Sequence, residues 1–248
     1  MSSLTRVYVS SDGISNSAAV ITGGDAQHLI KVMRLRVGDS LSVCDGNANE
    51  YQSVITAIAR DSVTVSLGAM IRLDTEPACP IVLYQCLPKS DKMDSIVQKS
   101  VELGVTQIVP VMSDRCISRP DDKTLCNKLE RWQHIADAAA SQSGRGILPK
   151  VTGLISYKDA CNDAKQMIGM LCYEGEGTMQ IQDVLKGVNQ SSASGFAFIV
   201  GPEGGITEAE AELAKASGLA LCGLGKRILR TETASSFVLS AIEVLTHW

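Results

Sequence analysis

Two segments of the chain join an apolar run to a turn whose residue types could hold a ligand. The first, FIVGPEGGITEAE at residues 198–210, breaks from strand-like residues into a turn with three glycines, one proline and one acid. Thr207 followed by Glu210 forms a capping-box pattern, so the spacing predicts a helix from about Thr207 to Ser217 and leaves 201–206 as the turn. The second, LALCGLGKRILRTETASSFVLSAIEVL, runs from another glycine turn through Arg230, Thr231, Glu232 and Thr233 into an amphipathic helix. Its buried face is expected to carry Phe237, Val238, Ala241, Ile242 and Leu245.

A polyphosphate fits the first turn poorly. The turn has neither the G-x-G-x-x-G fingerprint nor a terminal Gly-Lys-Ser/Thr, and Glu203 stands where an anion would sit. A neutral or cationic ligand read by exposed backbone groups is compatible; so is a bare strand-to-helix connection for which the glycines only supply tightness. At the second turn, a threonine cap and a dipole-complementing Glu232 account for part of the cluster. They do not account for Arg230, whose charge opposes the helix dipole, and an anion is expected to face it.

The elements that must position these turns follow two rhythms. Residues 6–9, 40–44, 51–59 and 62–67 are short runs rich in Val, Ile, Tyr and Thr, which predicts a small antiparallel barrel. LDTEPACP at 73–80 reads as a linker. Beyond it, apolar runs at 81–87, 107–112, 167–173, 196–201 and 219–225 alternate with helical patterns, as in a parallel sheet covered by helices. Pro110 argues against a central place for the second run. One helix is expected over DKMDSIVQKSVELG, with Met93, Ile96, Val97 and Val101 inward and Gly104 as its stop, and another from about Lys123 to Ser143 along Leu125, Leu129, Trp132, Ala136 and Ala139. In such a sheet, ligands sit where loops leave the carboxyl ends of strands.

The chain has 248 residues, 45% of them apolar, with a formal charge of −4. That supplies material for real cores and gives no general affinity for nucleic acid, so an RNA partner would have to be met by local basic patches. Eight scattered cysteines without a C-x-x-C pair read as reduced core residues. His28, His134 and His247 are isolated from one another, so no metal is expected. No apolar stretch reaches the length of a membrane span and MSSLTRVYVS lacks a secretory layout, so a cytoplasmic location is expected.

GPEGGITEAE and LGKRILRTETA resemble the signature segments of the RsmE family of ribosomal RNA methyltransferases, within the SPOUT superfamily. HLIKVMRLRVGDSLSVCDG at 28–46 is similar to that family's PUA-like barrel, and residues 89–116 and the QSGR at 142–145 to its catalytic domain. The resemblance implies an α/β fold: a PUA-like, RNA-binding β-barrel over 1–74, then a SPOUT methyltransferase domain over 75–248 with a C-terminal trefoil knot at roughly 167–248. Periodicity alone would give an ordinary doubly wound sheet. The resemblance further implies methyl transfer from S-adenosylmethionine to N3 of the uridine at position 1498 of 16S rRNA, in the decoding region of the small ribosomal subunit, by a homodimer. Cofactor-binding residues would be Leu171, Cys172 and Glu174; Val200, Gly201, Pro202, Glu203 and Gly204; and Leu224, Gly225, Ile228, Leu229, Thr231 and Ala234.

Uracil N3 carries a proton at neutral pH, so the reaction calls for a base, a cation, or both. Arg230 is assigned to orient the base and stabilise developing charge, and Glu232 to accept the proton. Alignment of N3, methyl carbon and sulfur supplies much of the remaining rate. RNA contacts are expected from Arg34 and Arg36 on the barrel and from Lys89, Lys92, Arg115, Arg119 and Arg145, each of which could instead be a solvated charge. The family usually has Glu before QSGR, whereas this chain has Ser141. Two alternatives remain: a knotted enzyme acting on tRNA or a ribose 2′-hydroxyl, and a noncatalytic ribosome-assembly factor.

Overall fold

A computed structural model describes residues 5–10, 13–15, 17–186 and 188–246, so His247 lies outside the described residues. The chain divides into two compact units, one of residues 1–76 with 140–148 and one of 77–139 with 149–248.

The first unit is a six-stranded sheet: β1 (Arg6–Tyr8), β2 (Ile14–Ser15), β3 (Ala18–Thr22), β4 (Ser40–Cys44), β5 (Asn49–Ile58) and β6 (Ser62–Arg72), in the order β1-β4-β5-β6-β3-β2. Two features depart from the antiparallel barrel the sequence led us to expect. β1 pairs parallel with β4, and among the described residues the end strands β1 and β2 do not pair. Register shifts between Tyr51 and Ser53 and between Ile55 and Ala57 break the β5–β6 ladder, and such shifts bend and twist a sheet. Its concave core includes Ile21, Leu29, Leu41, Val43, Ile55, Val63 and Val65, supplied by alternate positions of four strands and by the segment after β3. That segment is a short helix α1 (Gly23–Gln27) and a π-type turn (His28–Val32), which deliver Arg34 and Arg36 to an exposed loop.

The second unit contains β7 (Ile81–Cys86), α2 (Lys92–Glu102), β8 (Gln107–Met112), most of α3 (Asp122–Ser143), β9 (Lys150–Val151), β10 (Ile155–Ser156), α4 (Tyr157–Ala164), β11 (Ile168–Cys172), β12 (Met179–Gln180), α5 (Ile181–Leu185), β13 (Phe196–Val200), α6 (Glu208–Ala216), β14 (Ala220–Gly223) and α7 (Thr231–Thr246). Its sheet runs β10-β8-β7-β13-β11-β14-β12, with β9 also on β8 and every pair parallel. Every residue of β7 and β13 is buried, as expected of strands covered on both faces.

Pro110 sits inside this sheet after all. β9 pairs with Gln107 and Ile108, and β10 with Val111 and Met112. The proline falls between these two short partners, where a missing N–H leaves no ladder bond broken on that side. The capping box of α6 forms as its spacing predicts, with Thr207 Oγ1 accepting from the Glu210 N–H and Glu210 Oε2 accepting from the Thr207 N–H.

The face of α7 differs from the expectation. Val238 and Ile242 are buried, together with Ala234, Ser235 and Leu239, but Phe237 and Leu245 are each 41% exposed and Val244 is 69% exposed. A helix this apolar carries hydrophobic residues on two faces, and periodicity cannot say which one meets the sheet. Cys126 is exposed and Cys172 half-buried; the other six cysteines are buried. Among the described residues no cluster of His, Cys, Asp and Glu could hold a metal, and no helix is long and apolar enough to cross a membrane.

Candidate active site

Three loops leave the carboxyl ends of the neighbouring strands β11, β13 and β14 and enclose a cavity of about 710 Å³. Thirteen of the fourteen cofactor-binding candidates line it; the exception, Leu171, is fully buried within β11. Gly201, Gly204 and Gly205 of the first turn and Gly223 and Gly225 of the second are among the lining residues, and glycines let N–H and C=O groups approach a planar heterocycle closely. The volume lies within the range of small-molecule sites, of a size for a nucleoside carrying an amino-acid chain.

The first glycine turn is clamped from two sides. Arg115 donates from Nη1 to the Gly204 carbonyl at 2.9 Å and reaches the Ile206 carbonyl at 3.5 Å. On the other side Glu203 accepts from the backbone N–H of Lys89 at 3.1 Å and pairs with the Lys92 ammonium at 2.8 Å. Glu203 therefore anchors the turn to the start of α2, a role the sequence did not disclose. Burial pushes its carboxyl up, but the hydrogen bonds from Lys92 and the Lys89 N–H outweigh this and hold it below the usual 4.5. The same contact raises Lys92 above its usual 10.5.

These shifts set a pH window. A depressed carboxyl contributes stability above its unfolded value and loses it as pH falls through the folded one; a raised ammonium contributes below its unfolded value and loses it only as pH rises through the folded one. The clamp is thus intact from the ordinary carboxylate range up to the ordinary lysine range. Lys92→Met removes the main stabiliser of the carboxylate and leaves its burial, so the acid limb of cofactor affinity is expected to move to higher pH than in wild type. Calorimetric titration from about pH 4 to pH 9 checks this, across the carboxylate range; identical acid limbs would contradict it.

Arg230 is exposed, lines the cavity and precedes the first residue of α7. Its carbonyl accepts from the N–H groups of Thr233 and Ala234 at 2.9 and 2.8 Å, so its backbone caps the helix while the guanidinium remains at the cavity wall. Thr231 is buried and its Oγ1 donates to the Gly201 carbonyl at 2.8 Å, joining the second loop to the first. Glu232 does not line this cavity. It borders a smaller cleft with Lys99, Glu102, Leu103, Thr233 and Ser236, and its Oε2 lies 3.7 Å from the Lys92 ammonium. The expected direct proton acceptor is therefore set behind the wall.

The candidate RNA contacts separate into three groups. Arg34, Arg36 and the Lys89 side chain are exposed, as is Arg119, which donates to the Asp114 carbonyl. Lys92 and Arg115 line the cavity and hold the glycine turn. Arg145 is corrected: it is 3% exposed, its Nη2 pairs with Glu76 at 2.5 Å, and Glu76 also accepts from the Gly146 and Ile147 N–H groups. Burial and this pairing withdraw its guanidinium from any RNA. The QSGR segment belongs to the first unit, where Ser141 Oγ donates to the Arg6 carbonyl at 3.4 Å and lines no part of the cavity.

Lys226 and Arg227, which the sequence reading passed over, also line the cavity. Two adjacent cations directly after Gly225 were the available signal. With Lys92, Arg115 and Arg230 they make five basic side chains against the two carboxylates Glu174 and Glu203. The local balance is positive although the chain is net acidic, which suits an anionic substrate.

A parallel sheet whose strand ends carry a cavity lined by glycines and basic side chains fits the methyltransferase class, and comparison with known proteins agrees. Residues 75–243 match the RNA methyltransferase domain family and 21–68 match the RNA methyltransferase PUA domain. The chain is 33% identical to ribosomal RNA small subunit methyltransferase E of Bacillus subtilis, over 92% of this chain and 90% of that one. Among solved structures it is similar to ribosomal RNA small subunit methyltransferase E from Neisseria gonorrhoeae bound to S-adenosyl methionine, with a TM-score of 0.85, 32% identity and 96% of each chain covered. A Legionella pneumophila methyltransferase in complex with SAM matches at a TM-score of 0.85 and 26% identity, again over 96% of each chain. The protein belongs to the ribosomal RNA small subunit methyltransferase E family.

Proposed function

We propose that the protein methylates N3 of a uridine, position 1498 of 16S rRNA, in the decoding region of the small ribosomal subunit, with S-adenosylmethionine as donor. The observation that carries this reading is the meeting of both glycine turns and Arg230 in one cavity. The cofactor supplies a methyl group on a positively charged sulfur. The backbone of 201–205 and 224–229 would hold its adenosine, and the loop after β11, with Glu174, its amino-acid end. Arg230 would orient the uracil and offset the negative charge that builds on its carbonyl oxygens as N3 loses its proton. Transfer would form the N–C bond as the C–S bond breaks with its electron pair on sulfur, and the N3 proton would leave to a base or to solvent. Glu232 acts only through Lys92.

Three further properties belong to this reading. A trefoil knot over roughly 167–248 is the expectation that family membership brings, and the strand order, with β13 and β14 flanking β11 on opposite sides, is compatible with it. A homodimer is supported by the uncovered Phe237, Val244 and Leu245 on α7. RNA binding by Arg34 and Arg36 on the PUA-like unit is supported by their exposure. A small-subunit rRNA substrate would go with a cytoplasmic location.

The test is transfer of labelled methyl groups to purified small subunits that lack the modification, with the product nucleoside identified by mass spectrometry. N3-methyluridine at the decoding-region site is the expected product. A 2′-O-methylated nucleoside would replace this reading with the ribose alternative, and cofactor binding without any transfer would favour the assembly-factor alternative.

A further inference from the structure

Gln85, the penultimate residue of β7, has no exposed surface. Its Nε2 donates to Thr231 Oγ1 at 2.9 Å and to the Cys86 carbonyl at 2.9 Å, and reaches the Val200 carbonyl at 3.5 Å. Thr231 Oγ1 in turn donates to the Gly201 carbonyl at 2.8 Å. A two-step relay therefore runs from the centre of the sheet to both cavity loops: Gly201 opens the first, and Thr231 directly follows Arg230 in the second.

The polarity of the relay is fixed by proton count. A hydroxyl has one proton, and that of Thr231 is committed to Gly201, so its remaining partner must be a donor. The amide of Gln85 must present its NH2 there, which leaves Oε1 buried with no hydrogen-bond partner. A buried acceptor without a donor costs free energy, and a methionine of similar length would remove it, while leaving Thr231 Oγ1 and the Cys86 carbonyl without this donor. The orphaned Oε1 offsets part of what the donated bonds contribute, so stability alone is a weak reason for a glutamine here.

We infer that Gln85 is a positioning residue for methyl transfer. It touches neither ligand. By donating to Thr231 it keeps that hydroxyl directed at Gly201, and so fixes the distance between the first glycine turn and Arg230. Without the amide the hydroxyl is free to rotate, Gly201 loses its donor part of the time, and the two loops move apart independently. The inference rests on reading the cavity as the cofactor and base site.

The test compares Gln85→Met, Thr231→Val, Thr231→Ser and the Gln85→Met/Thr231→Val double variant in the full chain. Melting temperature, S-adenosylmethionine affinity by calorimetry, and kcat and KM on small subunits are measured. Gln85→Met is expected to melt close to wild type, since losing the donated bonds and relieving the orphaned Oε1 offset one another, yet bind cofactor about fivefold more weakly, the worth of one net hydrogen bond, with a fall in kcat besides. The double variant is expected to lose no more than Thr231→Val alone, since both changes cut the same relay, and Thr231→Ser to recover most of the loss. A Gln85→Met protein that melts lower with cofactor affinity and kcat unchanged overturns the inference, as do additive losses in the double variant. Wild-type protein that binds no cofactor would instead remove the reading of the cavity on which the inference stands.

Discussion

Arg230→Ala is expected to lower methyl transfer by about 10²–10³-fold, the loss typical of removing one donor aimed at developing charge. Cofactor affinity should stay within about threefold, below the worth of one net hydrogen bond. Three observations separate the side chain from the scaffold. The helix cap is made by the Arg230 carbonyl, which alanine retains. The link between the two loops runs through Thr231 and Gly201, not through the guanidinium. And a cation at a helix N-terminus opposes the dipole, so its removal should leave the melting temperature unchanged or raise it. Arg230→Lys keeps a charge but not the planar fork, and should fall between alanine and wild type. Near-normal turnover of the alanine variant would remove Arg230 from the chemistry; a parallel loss of cofactor affinity would move it to the cofactor site.

Gly205→Val should weaken cofactor binding by about five- to 150-fold, from strain of the order of 1–3 kcal/mol at a left-handed backbone position. Gly205 has φ of 71°, a conformation that a β-branched residue strongly resists. Its N–H donates to the Pro202 carbonyl at 2.9 Å, closing the turn whose other carbonyls Arg115 and Thr231 hold. The backbone cannot relax to a negative φ without breaking that closure. Gly218, with φ of 95° just past the end of α6, provides the control because it lies outside the cavity wall. Gly218→Val should lower the melting temperature comparably while cofactor affinity holds. Equal affinity losses in both variants would show that general destabilisation, and not the shape of the turn, is being measured.

Much of the site was legible because its signals are local. A capping box at Thr207 and Glu210 needs only three residues of spacing, and its helix forms where that spacing places it. The apolar runs that become β7, β8, β11, β13 and β14 declare themselves by composition within about six residues. The charged side chains were harder to read. Lys92 and Arg115 look like any exposed cation in the sequence, yet one neutralises Glu203 and the other holds Gly204. Arg145 gave the same surface signal and is buried against Glu76.

By itself the sequence determined the order of the main strands and helices around the site, the two glycine turns and the placing of Arg230 at a helix start, because hydrophobic period, cap chemistry and glycine punctuation act between near neighbours. Only the tertiary structure decided which partner a polar group meets beyond its near neighbours in the chain. Gln85 finds Thr231 146 residues away, Lys89 finds Glu203 at 114, Arg115 finds Gly204 at 89 and Arg145 finds Glu76 at 69. It also decided which apolar face of α7 turns inward, leaving Phe237 and Leu245 outside. The physical reason is common to these cases: a charge, an amide or a second hydrophobic stripe carries no local mark of its partner, and the partner is set by how distant strands stack in the sheet.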